Sequence, residues 1–380
     1  MNYFFMVIIL FLAFSCRSPR DKLYKFDPTI LVENKVTLKQ IADDIIYIPL
    51  DDSIKIRFIN QVKMTNKSIL VSTDENVLKF NHYGEMIRKI GNKGVGPGEY
   101  TFCAKFAVDD VCETVYIKDR GTTIKVYSKD GLYIRDIYLK DQASGIDAIE
   151  FYNSGLFLSH YLQFGDSHYN WTIIDTLGTV RERKERTMPE FSSNWLEGSF
   201  TYKYDNKLFF WNPYNDTVFS ISKDLSYKPS FLFGQGDFRL PKSNFDPSEV
   251  ITHFMLIRSL FETNRFVVLR YSYNRKGSIT LIEKKSKKSF LTFVENFESG
   301  GITNDLDGGI DFQPVSYFAE NEQEYVIGFF DPYKLKIHVA SETFEKSVPT
   351  YPEKKRELEK LANSLKETDN PVLVLVRLKE

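Results

Sequence analysis

Short apolar runs, each closed by a polar turn, recur along the chain at a fixed interval. The stretch Val77–Gly91, VLKFNHYGEMIRKIG, reads as a strand, a tight turn at Gly84 and a second strand. Its counterparts are IKVYSKDGLYIRDI at Ile124–Ile137, WTIIDTLGTVRER at Trp171–Arg183 and VFSISKDLSYKPSFLF at Val218–Phe233. The residues just before these turns, Phe80, Tyr127, Ile174 and Ile221, stand 47 positions apart. Ile282 takes the same part in a weaker copy, ITLIEKKSKKSFLTF at Ile279–Phe293. A preceding run also recurs: SILVS from Ser68, ETVYIKD from Glu113, SGLFLSH from Ser154, NKLFFWN from Asn206, NRFVVLR from Asn264 and EYVIGFF from Glu324. Apolar runs this short, bounded by turn residues, are expected of strands buried on both faces. A four-stranded unit of about 40–50 residues has the size of a propeller blade.

The pattern therefore predicts an all-β fold, a six-bladed β-propeller. Five blades fall near Arg57–Ile90, Thr101–Leu139, Gly145–Arg183, Glu197–Phe233 and Ile251–Phe293, and a sixth begins at Phe312. The sixth lacks the usual final strand pair. In its place Tyr333–Phe344 reads as helix, and YPEKKRELEKLANSLKETDNP carries Leu358, Leu361 and Leu365 at helical spacing. Pro352 punctuates its start and Asn370-Pro371 its end. Val372–Leu378 is then the third strand of blade six. Its fourth can come only from DIIYIPL at Asp44–Leu50, which Pro49 places at an edge or an end. Fastening both termini into one blade hides the strand edges that an open array would expose. The expected division is a signal segment over 1–16, a tether over 17–42 and the propeller over 43–380, with a helical insertion at about 332–367.

Composition changes this picture little. Phe 32 and Tyr 22 suit pleated, stacked sheets. Lys+Arg 50 against Asp+Glu 51 gives a net charge of −1, which supplies no basic excess for a nucleic-acid partner. The opening MNYFFMVIILFLAF is apolar but shorter than the roughly 20 residues that span a bilayer. It fits a signal-peptide core. LAFSC at Leu12–Cys16 is lipobox-like, so Cys16 is the expected site of lipidation and membrane attachment. Bulky Phe14 and the absence of a preceding Lys or Arg depart from that pattern. Cys103 and Cys112 flank a hairpin turn unequally and are expected to be two separate thiols, because disulfide geometry tolerates little offset.

Recognisable chemistry is sparse. GNKGVGPGEY at Gly91–Tyr100 lacks the Lys-Ser/Thr and the helix of a phosphate loop; Gly94, Gly96 and Gly98 fit a tight crossing from blade one to blade two. NDLDGGIDF at Asn304–Phe312 gathers Asp305, Asp307 and Asp311 but misses the EF-hand spacing, and reads as an Asx-stabilised turn. The five histidines show no ligand spacing, and no nucleophile elbow is present. No metal, cofactor or catalytic residue is assigned. Strand counting places the blade crossings and the turns after each second strand on one face, and variable loops on a rigid scaffold are where binding concentrates. The candidate binding face comprises Gly94, Gly96, Gly98, Glu99, Tyr100, Arg120, Asn215, Asp216, Asn304, Asp305 and Asp307.

IGNKGVGPGEY at Ile90, DIIYIPL at Asp44, NDTVF at Asn215, NDLDGG at Asn304, Cys16 and the tail from Pro352 together carry a resemblance. The chain resembles the Bacteroidetes family of six-bladed β-propeller lipoproteins, similar in architecture to NHL- and TolB-like propellers and without established activity. The resemblance implies a lipid-anchored cell-envelope protein, periplasmic or surface-exposed at the outer membrane. RSPRDK after Cys16 lacks the acidic run associated with surface export. The leading functional expectation is a monomeric binding or scaffold module for a glycan, peptide or envelope protein. The alternatives are a lactonase- or lyase-like enzyme with a metal in the central channel, and a purely structural envelope component.

Overall fold

The computed structural model describes residues 24–139, 145–164, 167–234, 236–294 and 300–379. The signal segment, Cys16 and the first part of the expected tether lie outside the described residues. Six antiparallel sheets follow one another around a ring. In blade one the strands are Gln61–Met64, Ile69–Ser72, Val77–Phe80 and Met86–Ile90, paired in chain order from the axis outward. Blades two to five repeat this order.

Burial explains why the second run of each unit is so apolar. Ile69–Ser72, Val115–Lys118 and Gly155–His160 are buried at every residue. The outer strand Val180–Glu185, VRERKE, faces solvent along most of its length. Gly84 occupies φ +84, and a Cβ there would lie 2.0 Å from the Pro49 carbonyl oxygen. That contact joins blade one to the last strand of blade six, together with Asp51 N–H donating to the Gly84 carbonyl at 2.9 Å.

Blade six is built from both ends of the chain. Its spatial order is Ala42–Pro49, Val372–Leu378, Gln323–Phe330 and Ser316–Glu320. Ile45 lies opposite Val376, and Tyr325 lies opposite Arg377. Between the second and third strands sit three helices, Pro332–Val339, Glu342–Lys346 and Pro352–Ser364. Leu335, Phe344, Leu358 and Ala362 form their shared core with Val372. Cys103 is buried and Cys112 exposed, and neither forms a disulfide.

The expected tether is corrected from residue 24 onward. Lys25–Phe26 adds a parallel strand outside Tyr227–Phe233 of blade four. Phe26 is fully buried and meets Phe233 and Tyr271 edge-on, with centroids 5.9 and 5.4 Å away. The Tyr24 hydroxyl hydrogen-bonds Ser289 at 2.7 Å, and Asn34 N–H donates to Leu291 O at 3.0 Å, both on blade five. The short helix Leu38–Ile41 follows, with a capping box between Thr37 and Gln40. This segment is therefore a strap across blades four to six. Val36, Leu38 and Ile41 are also buried, and a solvated tether would have left those side chains in water.

Candidate functional site

On the rim of the crossing face, structural bonds engage most of the predicted side chains. Gly96 N–H donates to Glu99 Oε2 at 2.9 Å, and a Cβ on Gly94 would meet the same oxygen at 1.9 Å. Tyr100 is fully buried, edge-on to Tyr127, whose hydroxyl donates to Gly98 O at 2.8 Å. Asn215 accepts from Thr217 N–H at 3.0 Å, and Asp216 accepts from the Thr217 hydroxyl at 2.7 Å. Asn304 and Asp307 are buried, and Asp307 accepts from Gly309 N–H at 2.9 Å. Burial pushes the Asp307 carboxyl up from its ordinary value. Asp305 accepts from Lys39 N–H at 2.8 Å and so holds the strap. Arg120 is the exposed member of the set. Among the described residues no hydrogen bond or ion pair joins the blade-two loop, Asn215–Asp216 and Asn304–Asp307 into one site.

The axis of the ring is different. Inner strands from all six blades enclose a cavity of about 360 Å³. That is at the lower end of the roughly 300–1,000 Å³ typical of small-molecule sites. Its walls carry Lys63, Lys105, Lys203, Arg258 and Arg270 against Asp110 and Glu150. The two carboxylates sit toward the far ends of the inner strands and are already engaged. Glu150 takes Lys63 at 2.6 Å, linking blades one and three, and Asp110 takes Lys203, linking blades two and four.

At the end where the chain enters the inner strands, the cations are differently placed. Lys105 opens the inner strand of blade two and lies directly opposite Lys118 on the second strand. Like charges in that position repel. Lys105 makes no hydrogen bond or ion pair within 4 Å to a described residue. Burial lowers its pKa, and the like charge of Lys63 adds to that effect against the opposing pull of Asp147 and Glu197. Lys118 is lowered too, chiefly by burial, and its ammonium rests over the Phe102 and Tyr161 rings at 5.2 and 5.9 Å.

Two carboxyls stand behind these lysines. Asp147 is 4% exposed and accepts from Ser199 N–H at 2.7 Å; burial raises its pKa despite that bond. Glu197 accepts from Trp195 Nε1–H at 3.1 Å, and burial raises it as well. Arg258 Nη1 forms a long ion pair with Glu197 at 3.9 Å, and its positive charge opposes part of that rise. Arg270 is brought down to about 10 by burial and by the like charge of Arg258. Strand register shifts fall between Ile146 and Ile149 and between Ile257 and Ser259, where Asp147 and Arg258 lie. Such bulges re-aim side chains.

Sequence reasoning did not single out Lys105, Asp147, Glu197, Arg258 or Arg270. Their one signal is an ionisable residue within or beside a largely apolar strand run, as in KFAV, IDAIEFY and LIRSLFE. Among the described residues no three His, Cys, Asp or Glu side chains converge as a metal-holding group. His160 is fully buried and hydrogen-bonded to Thr172 at 2.9 Å, and burial brings its pKa down to about 3.

No curated protein matches the chain. Among solved structures, an assigned exported protein of Bacteroides fragilis superposes with a TM-score of 0.68 at 18% identity, covering 94% of this chain and 99% of its own. A member of the DUF4221 family from Bacteroides vulgatus gives a TM-score of 0.51 at 10% identity, covering 89% and 97% respectively. At these identities the likeness is one of fold. The profile of a domain of unknown function, DUF4934, matches residues 24–377, and the chain belongs to that family.

Proposed function

We propose that the protein is an envelope-anchored binding propeller whose ligand seats in the central channel, at the end where the chain enters the inner strands. The observation that carries this reading is the contrast between rim and axis. Rim polar groups are engaged in holding loops and strap, whereas Lys105 lines a cavity and makes no hydrogen bond or ion pair among the described residues. Perturbed titratable groups gathered in a cleft mark candidate functional sites. The test compares capture on glycan and peptide arrays by the parent, by Thr201→Trp, which puts bulk on the channel wall, and by Arg120→Glu on the rim. Loss in Thr201→Trp alone is expected. Loss in Arg120→Glu with retention in Thr201→Trp would move the site to the rim.

Acylation at Cys16 is the proposed anchor, supported by its lipobox-like context and by the exported homologue. Between Cys16 and Tyr24, the first described residue, lie eight peptide steps, which span at most about 29 Å. The strap then continues along blade four, so this reading holds blade four close to the membrane. Cys16→Ala should shift the protein from the membrane fraction to the soluble one, and a variant that stays in the membrane fraction after signal removal would refute the anchor.

A further inference from the structure

The outer edge of blades four and five gathers a basic turn, two exposed apolar side chains and the point at which the N-terminal segment joins the fold. The turn is Lys284–Lys288, KKSKK, which leads into the outer strand of blade five, Ser289–Val294. Lys284 is half-buried and paired with Glu262 at 2.6 Å, whereas Lys285, Lys287 and Lys288 are exposed and make no ion pair among the described residues. The neighbouring carboxylates are taken: Glu283 by Arg265 at 2.8 Å, Glu33 by Lys35 at 3.4 Å and Asp27 by Thr29 N–H at 2.8 Å. The strap is fastened to this same strand at two points, Tyr24 to Ser289 and Asn34 to Leu291. Between them Leu31 packs inward on the core, while Ile30 and Val32 stand 74% and 81% exposed.

A segment that turns one apolar side chain inward and its two neighbours outward leaves those two in water with no gain to the fold. Apolar side chains beside a cluster of lysines suit an anionic bilayer, where the former enter the headgroup region and the ammoniums meet lipid phosphates. The covalent path leads to the same edge. Tyr24 stands eight steps from Cys16, and the intervening RSPRDKL carries Arg17, Arg20 and Lys22 against Asp21. Resting on the acylation of Cys16 proposed above, we infer that this edge is a docking surface for anionic phospholipid, made of Ile30, Val32, Lys285, Lys287 and Lys288. Each lysine at such a surface is worth about fivefold in partitioning, so three give roughly a hundredfold. That is too little to retain the protein without its acyl chain, and enough to fix which edge of the ring meets the bilayer. The ring then stands on its edge, with neither mouth of the channel against the lipid.

Lysine acetylation by a water-soluble reagent, read by mass spectrometry, tests this on the purified membrane-fraction protein added to vesicles. One vesicle set is equal parts phosphatidylglycerol and phosphatidylcholine, and the other is phosphatidylcholine alone. Lys285, Lys287 and Lys288 should label about tenfold more slowly on the anionic vesicles, and high salt should restore the rate. Exposed Lys129 on blade two should label equally on both. Val32→Trp, read as its emission difference from the parent, should shift to the blue and be quenched by brominated lipid; Val95→Trp, at an exposed position between blades one and two, should not. Lys285→Gln, Lys287→Gln and Lys288→Gln together should remove most of that quenching, and the three Arg replacements should retain it. Equal labelling of the turn on both vesicle sets overturns the inference, as does a Val32→Trp emission that vesicles leave unchanged. Protection of the turn in envelope preparations but not on anionic vesicles would mean a protein partner, and overturns it too. The same spectra read Cys16. Acylated Cys16 with an unprotected turn sinks the docking surface alone, whereas unmodified Cys16 with a protected turn sinks the anchor alone.

Discussion

Removing Pro371–Glu380 should unfold the protein, and the size of the effect can be worked from blade six. Val372, Leu373, Val374 and Val376 are fully buried, with Leu375 at 5% and Leu378 at 9% exposure. Burying six such side chains is worth about 1.5–3 kcal/mol each, or roughly 9–18 kcal/mol, an upper estimate because unfolded chains are already partly compact. Net stability of a domain is typically about 5–15 kcal/mol. The loss extends beyond the deleted strand. Ala42–Pro49 pairs only with Val372–Leu378 in this sheet, so its backbone ladder would lose its partner as well. Limited proteolysis and urea unfolding followed by circular dichroism are the assays. The truncated chain should be cleaved within 42–50 and show no cooperative transition at the parent's midpoint. A graded version, Leu373→Ala, should cost about 2–5 kcal/mol while leaving the chain folded. A truncated protein that melts within a few degrees of the parent, or resists cleavage in 42–50, would refute closure by the two termini.

Two further outcomes test the strap and the seam between blades one and two. Phe26→Ala should cost about 3–5 kcal/mol and expose residues 24–41 to protease, an outcome that a flexible tether would not give. Glu113 is buried, which alone would raise its pKa, but the Ser68 hydroxyl at 2.7 Å and the Lys79 ammonium at 3.1 Å outweigh that and hold it below the ordinary glutamate range. Its contribution is therefore full above the unfolded glutamate pKa and is lost as pH falls through the lowered folded value. Glu113→Gln should destabilise by up to about 3–5 kcal/mol near neutrality because Lys79 stays buried without its counter-charge, and urea titrations should show that gap closing in acid; a gap constant down to low pH would contradict the pairing.

The blades were legible because a strand buried on both faces leaves almost no polar positions. The alternation of such strands with turns therefore survives as a period that Phe80, Tyr127, Ile174 and Ile221 mark. Closure was legible by elimination: a sixth blade short of two strands, with Val372–Leu378 and Asp44–Leu50 remaining to fill it. The strap was not. Phe26, Val36 and Leu38 fall on no strand or helix period, the apolar Ile30 and Val32 between them stay exposed, and what buries them is the outer surface of blades that the chain has yet to form. Long-range packing of that kind leaves no local signal.

The channel was hidden for a related reason, and the reason bears on function. Inner-strand side chains point either between blades or toward the axis, and strict alternation would sort them by parity. The register shifts at Ile146/Ile149 and Ile257/Ser259 break that parity where Asp147 and Arg258 stand. The rim motifs were the more visible because Gly, Asn and Asp build turns, and building turns is what they do here: Glu99 closes its own loop, Asp305 holds the strap, and Asp307 turns the crossing into blade six. A residue needed for a turn has its polar atoms occupied, so it offers little to a ligand. Lys105 is half-buried in the channel wall directly opposite Lys118, where the two like charges repel. On the channel reading proposed above, a bound ligand is what offsets the cost of holding that charge there.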